Sequence, residues 1–115
     1  MDLFNSWLVQ QPIAHRGLHN EVAPENSLAA FARAIEEGYP IELDVQLIAD
    51  GTIVVFHDDS LSRLTENDGY LKFLNKEDLK YLSLAGTNEK IPTFEEVLSF
   101  VDGKVPLLIE IKNDG

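Results

Sequence analysis

The apolar positions of the chain change period along its length, and that change marks the elements. In IELDVQL, residues 41–47, Ile41, Leu43, Val45 and Leu47 alternate with Glu42, Asp44 and Gln46. Successive side chains of an extended chain point to opposite faces, so the segment predicts a strand with one apolar and one polar face. TIVVFHD, residues 52–58, is a second extended run, rich in β-branched residues. Asp50-Gly51 between them reads locally as a hairpin turn. If the strands around Leu43 and Val55 are instead parallel, residues 46–51 must carry the chain back along the sheet in extended form. PIAHRG, residues 12–17, is a short strand running into a glycine, and VPLLIEIK, residues 105–112, is another strand. In the latter, Glu110 and Lys112 share a face opposite Leu107, Ile109 and Ile111.

Three segments carry the helical period instead. In PENSLAAFARAIEEG, residues 24–38, Leu28, Phe31 and Ile35 recur at helical spacing behind Asn26 or Ser27 as N-cap, and Gly38 can stop the helix. NKEDLKYL, residues 75–82, predicts a short helix capped by Asn75, and TFEEVLSFV, residues 93–101, one opened by a Thr93 and Glu96 capping box. Strands alternating with helices argue for βα units on a parallel sheet. At 115 residues the chain is the size of one domain, with room for one hydrophobic core and hardly for two.

Charge and composition narrow the partners. The net charge is -11 and the few basic residues are scattered, so there is no footprint for a nucleic-acid backbone or an anionic membrane. An anionic substrate must be attracted locally. The opening residues, read as a leader over 1–12, have no basic run and only a short apolar one, which supports neither a signal peptide nor a membrane anchor. Cysteine is absent, which excludes disulfides and thiolate ligands and suits a reducing cytoplasm, the expected location.

The chemistry-bearing residues gather at or near the C-terminal ends of four extended segments: His15 and Arg16, Glu42 and Asp44, His57 and Asp58, Glu110 and Lys112. In parallel α/β folds that edge is where ligand sites are built. Each pair has a plainer reading: a structural histidine beside glycine, a solvated strand face, a strand-end cap, a surface ion pair. Their shared placement favours a site. Three carboxylates converging on one point would repel by about 4 kcal/mol per pair at 4 Å and an effective dielectric near 20, so something positive must sit among them. Hard oxygen ligands without thiolates point to Mg²⁺ or Ca²⁺. Two histidines on neighbouring strand ends suit paired general acid and base work near neutral pH.

AHRG at 14–17, PENSLAAF at 24–31, IELDVQLIADG at 41–51, VVFHDDSLSRLT at 54–65, IPTFEEVL at 91–98 and LLIEIK at 107–112 stand in one order and spacing across nearly the whole chain. In these motifs the chain resembles the glycerophosphodiester phosphodiesterases. Ser27, Ile48 and Leu64 depart from that pattern, where threonine is usual. The resemblance implies a TIM-barrel (β/α)8 fold and metal-dependent hydrolysis of a small-molecule glycerophosphodiester to glycerol 3-phosphate and an alcohol. It implies His15 and His57 as general acid and base, Glu42, Asp44 and Glu110 as ligands of a divalent cation, and Arg16 and Lys112 as holders of the phosphate. Such a barrel takes about 250 residues. Residues 13–115 are therefore expected to be its N-terminal half, about four strands, belonging to a longer protein or completed by self-association along the open strand edges. Two alternatives accompany this reading: an inactive half-domain that binds cation or glycerophosphate, and a phospholipase D of the sphingomyelinase type.

Overall fold

A seven-residue strand that is buried along nearly its whole length organises the molecule. The computed structural model describes residues 12–112, so the expected leader lies, except for Pro12, outside the described residues. The elements run β1 (Ala14–His15), α1 (Leu28–Glu37), β2 (Ile41–Leu47), β3 (Ile53–Val55), two 3-10 turns (Leu71–Phe73 and Lys76–Tyr81), α2 (Phe94–Val101) and β4 (Leu107–Ile111). Among the described residues no helix is long and apolar enough to cross a membrane.

β2 is the central strand. β1 pairs with it in parallel at Ala14↔Ile41 and His15↔Glu42, and β4 pairs in parallel from Ile41↔Leu107 to Val45↔Ile111. β3 pairs antiparallel, from Val45↔Val55 to Leu47↔Ile53. The hairpin reading of Asp50-Gly51 therefore holds, and three of the four strands form the parallel set. Gly51 takes φ +87° at the turn, a conformation that glycine adopts without a steric cost. The Pro40 carbonyl accepts from Ala14 and the Asp44 carbonyl from Phe56, whereas Val45 accepts from Lys112. Alternate backbone groups of a strand face opposite edges, so β1 and the return of β3 lie along one edge of β2 and β4 along the other.

The helices form where the apolar spacing and caps place them. Ser27 caps α1, accepting from the Ala30 amide at 3.1 Å, and Gly38 closes it at φ +73°. α2 opens on the expected capping box, with Glu96 N–H donating to Thr93 Oγ1 at 3.1 Å and Thr93 N–H to Glu96 Oε1 at 3.0 Å. The expected short helix after Asn75 forms over residues 76–81 as a 3-10 turn and not as an α-helix. The Asp78 carboxylate does accept from the Asn75 amide, but Leu79 is the only buried residue of the turn. There is no apolar stripe whose burial would reward a longer α-helix.

Two apolar clusters fill the interior, one more than the length suggested. Ile41, Leu43 and Val45 pack with Phe31 and Ala34 of α1 and Val97 and Val101 of α2. The alternation of β3 divides the clusters: Val55 enters the first, while Val54 and Phe56 enter a second with Ile48, Leu61, Leu71 and Leu79. The second cluster fastens the long segment after β3 to the sheet.

Gly17 ends β1 against α1 at φ +83°, and a Cβ there would lie 2.8 Å from Ala30 Cβ and 3.0 Å from Phe31 Cδ1. Left-handed strain and overpacking together cost about 2 to 4 kcal/mol. Gly17→Ala is therefore expected to lower stability by that amount, read as a shift of the urea midpoint.

Candidate active site

The register of the sheet assembles the site. Glu42 and Asp44 share a face of β2; the pairing sets His15 beside Glu42 on one edge and Glu110 beside Asp44 on the other. One oxygen each from Glu42, Asp44 and Glu110 lies within 4.8 Å of the others. Asp44 is 1% exposed and Glu42 9%, so the polar face of β2 is not a solvated one. Glu110 is exposed.

Neighbouring donors only partly balance this cluster. His15 Nε2 is 3.8 Å from Glu42 Oε1, and the Arg16 amide donates to the same oxygen at 3.1 Å. Arg16 can aim that amide because its backbone turns through φ +57°. Its guanidinium pairs with Glu25 at 3.1 Å, and its Nε is 3.7 Å from Asp44 Oδ2. Burial, then the neighbouring Asp44 and Glu110, push the Glu42 carboxyl above its usual range against the Arg16 amide and His15. Asp44 Oδ1 is buried without any hydrogen-bond partner. A buried, unpaired carboxylate oxygen beside two further carboxylates is costly. A hard divalent cation such as Mg²⁺ or Ca²⁺ fits this donor set.

His57 arrives from the other direction, on the segment that follows the return strand β3. Gln46, the third polar residue on the Glu42–Asp44 face, is buried and holds that segment: its Nε2 donates to the carbonyls of Phe56, His57 and Asp58 at 2.8, 3.2 and 3.0 Å. His57 Nδ1 lies 2.8 Å from Asp58 Oδ1. Lys112 follows β4, its amide bonded to the Val45 carbonyl at 3.0 Å.

Residues beyond the expected set also line up here. Asn26 is not the cap of α1; it is buried at φ +56°, and its Nδ2 donates to Asp44 Oδ2 at 3.1 Å. It thereby orients one oxygen of Asp44 and leaves the other open. Glu25, 8% exposed, receives both Arg16 and Arg63. Burial opposes its ionisation, but the hydrogen bonds and charges of the two arginines outweigh it and hold the carboxyl below its usual range. PEN, residues 24–26, already carried a signal: with Ser27 able to cap the helix, Asn26 was free for another task.

Hydrogen bonds from Arg63, against a smaller opposing effect of burial and with help from His57, lower the Asp58 carboxyl from 3.8 to about 2. A carboxyl depressed in the folded state stabilises the fold above its unfolded value and loses that contribution as pH falls through the folded one. Wild-type protein should therefore lose stability between pH about 4 and about 2 more steeply than Asp58→Asn, as thermal unfolding at stepped pH would show.

The glycerophosphoryl diester phosphodiesterase family profile matches residues 15–115, from His15 onward. The chain belongs to this family. A glycerophosphodiester phosphodiesterase of Caldanaerobacter subterraneus subsp. tengcongensis is 46% identical over 110 residues, covering 88% of this chain and 44% of that protein. Among solved structures, an Oleispira antarctica phosphodiesterase in complex with the product sn-glycerol-3-phosphate superposes with a TM-score of 0.81 at 36% identity, covering 91% of this chain and 46% of that one. The glycerophosphodiester phosphodiesterase of Thermotoga maritima gives a TM-score of 0.76 at 39% identity over 88% of this chain and 43% of its own. The chain thus spans under half the length of these relatives. Its sheet is the corresponding part of the family's TIM barrel, about a half barrel.

Proposed function

We propose that the chain carries the acid–base and cation-binding part of an enzyme that hydrolyses glycerophosphodiesters to glycerol 3-phosphate and an alcohol. The observation that carries this reading is the convergence of Glu42, Asp44 and Glu110 beside His15, in a chain of this family. Glu42, Asp44 and Glu110 would hold a divalent cation, Mg²⁺ or Ca²⁺, which when bound offsets their charge and polarises the phosphoryl oxygen. Arg16 and Lys112 supply local positive charge for the phosphate in an otherwise acidic protein. His15 and His57 divide the proton work: one takes the proton of the attacking hydroxyl and the other protonates the leaving alcohol; attack by water gives glycerol 3-phosphate directly, whereas attack by the glycerol 2-hydroxyl gives a cyclic phosphate that water then opens. The relative bound to sn-glycerol-3-phosphate supports this choice of product.

The test is release of glycerol 3-phosphate from glycerophosphocholine by the purified chain with Mg²⁺ or Ca²⁺, repeated with a chelator. Cation-dependent release is expected. Release that survives chelation would overturn the cation's part. Absent turnover with the cation bound would overturn the chain's catalytic sufficiency and assign the chemistry to the longer protein.

A further inference from the structure

Behind His57 lies a run of charged contacts whose middle members, Asp58, Arg63 and Glu25, the proposed chemistry leaves unused. Asp58 touches the ring at Nδ1 through Oδ1, 2.8 Å away. Arg63 grips the same carboxylate with a fork, Nε to Oδ2 at 2.7 Å and Nη2 to Oδ1 at 3.1 Å. The guanidinium makes a second fork to Glu25, Nη1 to Oε1 at 2.9 Å and Nη2 to Oε2 at 2.8 Å. Glu25 in turn accepts from Arg16 Nη1 at 3.1 Å. One planar side chain therefore joins the loop of one histidine to the loop of the other.

We propose that Arg63 is a positioning residue: by holding Asp58 in this double fork, it makes Asp58 fix the proton on Nδ1 of His57 and leaves Nε2 as the nitrogen that exchanges protons. The inference deepens the functional reading above and rests on His57 serving there as acid or base. Its physical basis is donor geometry. A carboxylate only accepts hydrogen bonds, so the ring nitrogen facing Asp58 must carry the proton, and in the neutral ring the other nitrogen is then an acceptor. Asp58 can do this only while its own rotamer is held. Arg63 is suited to hold it because its five donors lie in a rigid plane, which lets one group serve two carboxylates at once. Lysine offers a point charge and no such plane. Glu25, buried and anchored by Arg16, gives the fork a fixed base.

The test needs no turnover. In long-range ¹⁵N–¹H spectra of the full chain, recorded where His57 is neutral and assigned by its loss in His57→Gln, the wild type should show His57 wholly as the Nδ1–H tautomer. Arg63→Lys keeps the charge and should give a mixture of the two tautomers; Asp58→Ala should do the same with Arg63 intact. Backbone amide spectra that superpose on the wild type show that each variant is folded. A wild-type ring protonated at Nε2 overturns the proposal even if no variant folds. So does an unchanged tautomer in folded Arg63→Lys. Because the readout is the ring and not the product, a fixed Nδ1–H tautomer without hydrolysis counts against the functional reading alone. A wrong tautomer with hydrolysis counts against Arg63 alone.

Discussion

His57→Ala is expected to abolish turnover while leaving cation binding nearly unchanged. Positioned general acid–base groups contribute about 10² to 10⁴ in rate, and His57 is not one of the three carboxylates whose oxygens converge. The ring sits on the segment held by Gln46, and that clamp acts through the His57 carbonyl rather than its side chain. Truncation should therefore leave the loop in place and the loss should fall on kcat. The comparison is kcat and calorimetric cation affinity for wild type and variant on the same preparation. If the variant retains activity within about tenfold of wild type, well inside the range such groups supply, the acid–base role of His57 is wrong. A parallel loss of cation affinity would mean instead that the ring helps to build the carboxylate cluster.

Glu42→Gln should change stability and function in opposite directions. In the cation-free protein Glu42 is pushed toward its neutral form by burial and by Asp44 and Glu110. Unit charges 4.8 Å apart, the upper limit for the converging oxygens, repel by about 3.5 kcal/mol at an effective dielectric near 20. Arg16 and His15 offset part of this. Glutamine keeps the acceptor for the Arg16 amide and removes the charge, so stability should rise by about 1 kcal/mol or more, and Tm by about 4 °C or more. The same variant should lose the increase in Tm that saturating Mg²⁺ or Ca²⁺ gives the wild type, since a cation that binds only the folded state stabilises in proportion to its affinity. A lower Tm without cation would mean that Glu42 is a net stabilising partner of Arg16 and His15, and that no repulsion is stored there.

The alternation of IELDVQL carried most of what the sequence could say about the site. It sets Glu42 and Asp44 on one face and Ile41, Leu43 and Val45 beneath the helices, as the structure has them. The same parity held a second message, because Gln46 on that face is the clamp for the loop of His57. The turn residues Asp50-Gly51 specified an antiparallel return, and the register then followed from the hairpin. What could not be read locally was pairing across long separations. Arg63 and Glu25 are 38 residues apart, and Asn26 and Asp44 are 18 apart. Neither arginine nor asparagine carries a periodicity that names its partner. Asn26 and Ser27 both read as helix caps from their neighbours alone; only the fold shows which of them takes that role. The second cluster was hidden for a similar reason: Leu61 and Leu84 lie in segments without helical or strand period and meet Val54 only once β3 has turned back.

The proposed chemistry depends above all on one divalent cation sitting among Glu42, Asp44 and Glu110. Isothermal titration of Mg²⁺ and of Ca²⁺ into the purified chain, beside a chain carrying E42Q, D44N and E110Q together, tests that claim without requiring turnover. Saturable binding of one ion per chain, lost in the triple variant, is the result predicted. Equal binding by both chains, or none by the wild type, would contradict it.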